Sequence, residues 1–341
     1  MVAVHLLHST ACRSLKSDRL LVPVIAAAAA AFAVPATAQD TGPAAGFPKQ
    51  VRIVVGSIGG TGPDFIARLI APKLGEALHL NVIVENRPSA NGIAATAYAA
   101  RATADGSAIM MGNAGTHAIN AALYKKLEYD PVADFAAITE VASIPLALVV
   151  HPSVPAKSVR ELVALARKSP GKLNVAVAGA AGELMGNALK LQAKIDMTNI
   201  HYKGGALAAI AVMSGESDMV FTSYVVIAPH VESGKLRVLG VSSVERMPQL
   251  PNVPTIAENG LPGYEHEQWY ALFAPVKTPA PLVQTLYKEV TRIVHTPDVT
   301  ERLVATGHRV VAGTPQQLAD KVKREIEKTR KIMRESGMPQ Q

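Results

Sequence analysis

The sequence predicts an α/β fold of two lobes, each a mostly parallel sheet flanked by helices. Short β-branched apolar runs alternate with helix-period segments along nearly all of its length, the order that yields parallel strands with helices on their faces. Glycine-rich turns follow several of those runs, at the carboxyl ends of strands where open α/β sheets bind ligands. The alternation restarts near residue 144, which points to a second lobe.

Each element has a local reason. Val51 to Val55 is a β-branched run and reads as a strand; Pro63 suits the first turn of a helix running to Leu78. Asn81 to Glu85 follows as a strand, Gly92 to Arg101 as a helix and Ser107 to Gly112 as a strand, completing a βαβαβ series. In the second series Ile144 to His151 is an apolar strand, and Ser158-Val159-Arg160-Glu161 is a capping box opening a helix to Lys168. Leu173 to Ala178 is a strand that ends in Gly179-Ala180-Ala181-Gly182, with a helix to about Lys194. Gly205 to Ser214 reads as helix, and Met219 to Ser223 and Leu236 to Ser242 as strands. Glu245 to Gly263 is rich in proline and glycine, an irregular connection. Trp269 to Ala274 is a late apolar segment, and helices are expected over Pro281 to Val294 and Thr314 to Glu335, the last with its own box in Thr314-Pro315-Gln316-Gln317. The division expected is residues 39–143 for the first part of lobe 1, 144–266 for lobe 2, and 267–341 for the return to lobe 1 with a C-terminal helix.

Arg13, Lys16 and Arg19 precede an apolar run from Leu20 to Ala38 that closes on Ala36-Thr37-Ala38, the layout of a cleaved secretory signal. The run is about long enough to span a bilayer, but its two prolines and alanine-dominated composition favour cleavage over anchoring. Residues 1–38 are therefore expected to be a signal peptide. The single cysteine, Cys12, lies before that run, so the mature chain has no thiol for a disulfide or a thiolate metal site. About 300 residues remain, enough for one large core or two of ordinary size.

The formal charge of +7 includes +2 from residues 1–38 (Arg13, Lys16 and Arg19 less Asp18), which leaves +5. Much of that excess lies between Lys321 and Arg334, where Glu325 and Glu327 interleave with it, the pattern of a solvated helix face. Aromatic residues at 4% supply no stacking platform, so nucleic acid is not an expected partner.

The stretch VRIVVGSIGGTGPDFIARLI, residues 51 to 70, joins a strand to a helix through a glycine loop. Backbone N–H groups and a helix dipole converge in such a loop and favour an anion. A Walker loop would need Gly-Lys-Ser/Thr where Gly62-Pro63-Asp64 stands, and GxGxxG would need glycine in place of Phe65. Glu85 lies where a ribose-binding acid would, but the missing glycine and the export signal argue against a dinucleotide. No GxSxG elbow or HExxH is present; Glu265-His266-Glu267 lacks a second histidine, and His201 reads as a packing or hydrogen-bonding residue. Neither catalysis, metal nor cofactor is expected. Asp64 complements the helix dipole, and whether it also receives a donor from ligand stays open.

Motifs spread from Phe47 to about Glu327 resemble the periplasmic solute-binding proteins of tripartite tricarboxylate transporters, the Bug or TctC-like receptors. They include Val84-Glu85-Asn86-Arg87-Pro88, Asp105-Gly106, Leu123-Tyr124 with Asp130-Pro131, and Val150-His151-Pro152. Pro170-Gly171-Lys172-Leu173-Asn174, Tyr202-Lys203-Gly204-Gly205 and Leu250-Pro251-Asn252-Val253-Pro254-Thr255 continue the series. The resemblance implies a periplasmic-binding-protein-like, two-lobed monomer in the periplasm that closes over a small organic acid and delivers it to membrane permease subunits. It places the ligand on Ser57, Ile58, Gly59, Gly60, Thr61 and Asp64 of the first loop and on Ser89, Asn91 and Gly92 of the second. The other lobe is implied to add Gly179, Ala180 and Glu183, with Thr222 and Tyr224. Neither of the first two loops carries Lys or Arg, so an anion would rely on amide dipoles and helix ends. Arg87 is expected to tie down its loop, and Trp269 to serve as core or hinge wall. The third loop departs from the family pattern in its alanines followed by Glu183, whose charge, if it faces the cleft, would disfavour a second ligand carboxylate. An exported α/β hydrolase is the alternative, against which stands the lack of a nucleophile with an adjacent base; a ligand sensor for a signalling partner is another.

Overall fold

The computed structural model describes residues 46–337 and Gln340; the expected signal peptide and Cys12 lie outside them. β1 (Gln50–Val55) leads through the glycine loop into α1 (Gly62–Leu78), β2 (Asn81–Asn86), a 3-10 turn (Ala90–Gly92), α2 (Ile93–Ala100) and β3 (Ala108–Asn113). A π-helical turn (Gly115–Ile119) continues into α3 (Asn120–Leu123), and β4 (Phe135–Pro145) closes this part. The second series is β5 (Ala147–Val150), α4 (Val159–Lys168), β6 (Asn174–Ala178), α5 (Gly179–Ala193), β7 (Thr198–Tyr202), α6 (Gly205–Met213), β8 (Met219–Thr222), α7 (Tyr224–Glu232) and β9 (Arg237–Val241). The chain returns as β10 (Glu267–Pro275), followed by α8 (Ala280–Val294), α9 (Pro297–Ala305), β11 (Arg309–Val310) and α10 (Pro315–Ser336).

Two sheets result, in the orders β11-β4-β10-β3-β1-β2 and β7-β6-β8-β5-β9. The βαβ parts are parallel as expected: β1 with β2 and β3, and β6 with β7 and β8. The remainder is not, and both sheets are mixed. β10 runs antiparallel to β3 and β4, and β5 antiparallel to β8 and β9. The cause is the crossing between sheets. A chain that leaves one sheet along β4 and returns through the same hinge along β10 must run back beside itself. The strand expected over 144–151 is correspondingly broken: Ile144 and Pro145 finish β4 in one sheet, and Ala147 begins β5 in the other.

β4 escaped the periodicity because polar residues sit within it. Thr139, Glu140 and Ser143 are buried there. Two of them are satisfied from near the C-terminus, Glu140 by Lys321 Nζ at 2.6 Å and Thr139 by donating to the Gly313 carbonyl at 2.7 Å. The two expected caps form. Ser158 Oγ accepts from Glu161 N–H at 3.1 Å, with the Glu161 carboxylate reaching Lys157 N–H, and Thr314 and Gln317 cap α10 reciprocally.

One apolar cluster runs through both sheets, joining Val54, Trp269 and Phe273 to Leu148, Val177 and Phe221 and to Leu318 and Val322 of α10. A second packs Ile66, Ile70 and Leu286 of α1 and α8 on the far face of the first sheet, and a third packs Val212 and Ile227 of α6 and α7 on the second sheet. Trp269 is fully buried.

Candidate functional site

The loop after β1 is a self-braced turn. Thr61 Oγ1 donates to the Ile58 carbonyl at 2.9 Å, which makes Ser57 Oγ the donor in its 2.6 Å contact with Thr61 Oγ1. Asp64 is buried beneath it and accepts four hydrogen bonds. Gly60 N–H reaches Oδ2 at 2.8 Å, Asn86 Nδ2 reaches Oδ1 at 2.8 Å, and Arg68 Nε spans both oxygens at 3.0 and 3.1 Å. Burial alone would raise its pKa; the bonds from Arg68, Gly60 and Asn86 outweigh it and hold the carboxyl below the ordinary 3.8. Asn86 Nδ2 also donates to the Ser57 carbonyl at 3.1 Å, tying β2 to the loop.

The second loop lies against the first, backbone to backbone: a Cβ on Gly56 would stand 3.0 Å from Gly92 Cα. Gly92 has φ +71°, and a Cβ there would meet Thr116 Cγ2 at 2.8 Å, so this position requires glycine on two counts. Asn91 donates to Tyr124 Oη at 2.8 Å, and its carbonyl accepts from Asn120 Nδ2 at 2.9 Å. Arg87 does tie down its loop, through Glu85 at 2.6 Å and by stacking 3.6 Å over the ring of Tyr98. A further loop, not foreseen, closes the end of β3. Asn113 N–H donates to Thr116 Oγ1 at 2.9 Å and Thr116 N–H to Asn113 Oδ1 at 3.0 Å.

Two cavities open between the sheets. One of about 430 Å³ is lined by Ser57, Ile58, Ser89, Asn91 and Gly92 together with Gly179 and Ala180. Asn113, Gly115 and Thr116 of the unforeseen loop complete its wall. The other, about 450 Å³, is lined by Gly60, Thr61 and Thr222, and by Phe65, Phe221, Tyr270 and His308. Ala178, Ala181 and Gln268 line both, so the two are chambers of one trough. Of the fourteen residues expected at the site, ten line it. Gly59, Asp64, Glu183 and Tyr224 do not. Asp64 is occupied with the loop, the Glu183 carboxylate lies 3.9 Å from His201 Nε2, and Tyr224 Cβ faces Gly307.

Among the described residues, no Lys, Arg, Asp or Glu lines either chamber. What converges there is five helix starts: Gly62 of α1, Gly92 at the N-cap of α2, Gly179 of α5, Gly205 of α6, and Ser223 at the N-cap of α7. Each contributes roughly half a positive charge and several N–H groups without an intrahelical partner. The trough is thus electropositive without a cation. Its wall also holds buried polar atoms with no partner: Ser89 Oγ, Gln268 Oε1 and His308 Nε2. Burial lowers the pKa of His308 to about 4, so its ring is neutral at neutral pH.

The remaining candidates fall elsewhere. His201 is largely exposed on β7 beside Glu183. His266 is buried against Tyr264, and Glu267 pairs with Arg309 at 3.0 Å.

Residues 66–338 match the family described as the tripartite tricarboxylate transporter family receptor. The chain belongs to this family. Three solved structures resemble it closely in fold. An R. palustris protein with adipate superposes with a TM-score of 0.75 at 33% identity, covering 84% of this chain and 97% of that one. The periplasmic binding protein BugD gives 0.74 at 30% identity, covering 86% and 100%. MatC from Rhodopseudomonas palustris, with bound malate, gives 0.72 at 32% identity, covering 83% and 98%. This TctC-type chain is accordingly a solute-binding receptor and not an enzyme, with the two-lobed fold of periplasmic binding proteins. Among its described residues no helix is long and apolar enough to cross a membrane.

Proposed function

We propose that this receptor captures a small organic carboxylate in the trough between its sheets and delivers it to the membrane permease of a tripartite tricarboxylate-type transporter. The observation that carries the proposal is a ligand-sized trough on which five helix N-termini converge and which, among the described residues, no charged side chain lines. A carboxylate would be held by amide N–H groups and hydroxyls alone. Such a site suits delivery, because no buried cation is left unpaired when the ligand departs. The adipate and malate held by relatives of about one-third identity support the ligand class.

Residues 46–145 with 267–337 form one lobe in this proposal and residues 147–266 the other, with Pro145 to Ala147 and the segment before Glu267 as the hinge. A ligand touching both lobes biases the closed arrangement by its extra contacts there. Export through a signal peptide at residues 1–38 and action as a monomer in the periplasm complete the proposal. The test is a thermal-shift screen of mono- and dicarboxylates of two to eight carbons, followed by calorimetry. A ligand at one hundred times its Kd stabilises by about 2.7 kcal/mol and raises the melting temperature. A screen in which no carboxylate shifts the transition overturns the proposal.

A further inference from the structure

We propose that His308 sets specificity at the far end of the trough, where it accepts a hydrogen bond from a neutral donor on the ligand, a hydroxyl or an amide N–H. The inference rests on the carboxylate reading above and names which carboxylates the trough prefers: those carrying such a donor at the opposite end of an apolar chain.

The tautomer of His308 follows from its neighbours. Thr306 Oγ1 donates to the helix-end carbonyls of Arg302 and Leu303 at 3.0 and 2.9 Å, so its one proton is engaged. Its 2.9 Å contact with His308 Nδ1 must then be filled by a proton on Nδ1. Nε2 is left with a bare lone pair. That atom is buried without a partner, and the residue is only 7% exposed. The ring is held between Phe65, with centroids 6.0 Å apart, and Tyr270, at 5.6 Å. Gly307, at φ +81°, makes the turn that brings it from the end of α9 to the wall of the second chamber.

The surroundings decide what can meet that lone pair. Gln268 Oε1, on the same wall, is a second buried acceptor without a partner. Two acceptors repel an ionised carboxylate at Nε2 itself, and no Lys or Arg lines the chamber among the described residues; the helix starts at Gly62, Gly205 and Ser223 favour an anion on the chamber as a whole, so the preference for a donor is local to Nε2. An ammonium would donate, but the chamber has no Asp or Glu to neutralise it once it is desolvated. A neutral donor satisfies Nε2 at no charge cost. Phe65, Ile144, Leu146, Phe221 and Val226 give the chamber an apolar stretch beside the hydroxyls of Thr61, Thr222 and Ser223, a surface for the hydrocarbon part of the ligand.

The experiment is titration calorimetry of the full mature chain with four probes that share one carboxylate: hexanoate, 6-hydroxyhexanoate, 6-methoxyhexanoate and adipate, repeated on four- and five-carbon chains. The hydroxy acid is expected to bind about tenfold more tightly than the unsubstituted acid, the methyl ether and the dicarboxylate, since a site built to pair a donor discriminates against ligands lacking one. In His308→Phe, which keeps the stacking between Phe65 and Tyr270 but removes the acceptor, the hydroxy acid should fall to the level of hexanoate. A dicarboxylate that binds more tightly than the hydroxy acid overturns this assignment while leaving the carboxylate reading intact. A methyl ether that binds as well as the alcohol does the same, and needs no variant to fold. Failure of all four probes at every chain length removes the carboxylate reading and this inference with it.

Discussion

Asp64→Asn separates a brace from a ligand contact. The carboxylate is buried and accepts from Gly60 N–H, Asn86 Nδ2 and Arg68 Nε, two bonds on each oxygen. Whichever oxygen becomes an NH₂ group, one inward-facing donor (Gly60 or Asn86) is set against another donor. A hydrogen bond to a charged group contributes about 1.5–3 kcal/mol, and a buried donor left unpaired costs about 1–3 kcal/mol. The Arg68 side chain is 56% exposed and recovers water, so its share is small. The expected loss is about 2–4 kcal/mol, or roughly 4–10 °C in the melting temperature. The pH dependence has a definite sign. The folded pKa lies below the ordinary 3.8, so the stabilisation is complete above that value and fades as pH falls through the folded one. Urea unfolding at pH 7 and at about pH 3 should show a gap between wild type and variant that narrows in acid. A loss below about 1 kcal/mol, or a gap of constant size, refutes the bracing argument.

Other outcomes follow from neighbouring geometry. Gly60 has φ +82° with no atom within 4 Å of where a Cβ would go, so Gly60→Val strains the backbone without a clash in the folded chain and should cost about 1–2 kcal/mol of stability. Gly59→Ala, whose Cβ would clear Asp64 Oδ2 at 3.9 Å, is the neutral control in the same melt. Lys321→Met strands Glu140, whose burial raises its pKa against the pull of Lys321; a loss of about 3–5 kcal/mol is expected at pH 7. Because the folded pKa of Glu140 is raised above the ordinary 4.5, that loss should shrink as pH falls through the folded value toward 4.5 and change little below it, as denaturation at graded pH will show. Glu183→Gln should leave carboxylate affinity within about twofold by calorimetry, since its side chain lines neither chamber.

The first two loops were legible because their signals are local: glycines at tight approaches, a strand before, a helix after, and no basic residue between. The loop after β3 carries the same logic, but Asn113 and Thr116 look like any polar turn until their mutual hydrogen bonds are seen. Gln268 and His308 could not be found this way. They reach the trough from β10 and from the residue before β11, and nothing near them in sequence marks a cavity whose other walls come from distant parts of the chain. Glu183 misled for the opposite reason. It follows a glycine turn, yet one helical turn beyond Gly179 carries its carboxylate toward His201 on β7. The mixed pairing of the sheets was illegible for a topological reason, since strand direction is set by where the chain crosses between sheets and not by the strand's own residues.

The place of β10 also dictates an order of assembly. It lies between β3 and β4 in the first sheet, so a chain made from its N-terminus forward holds two halves of that sheet with a missing middle until Pro275 has emerged. The second sheet needs only residues 147–241 and can pair earlier. The first sheet also waits for Lys321, 181 positions beyond the buried Glu140 that it neutralises. Partial chains therefore lack the complete first sheet whatever their length up to that point.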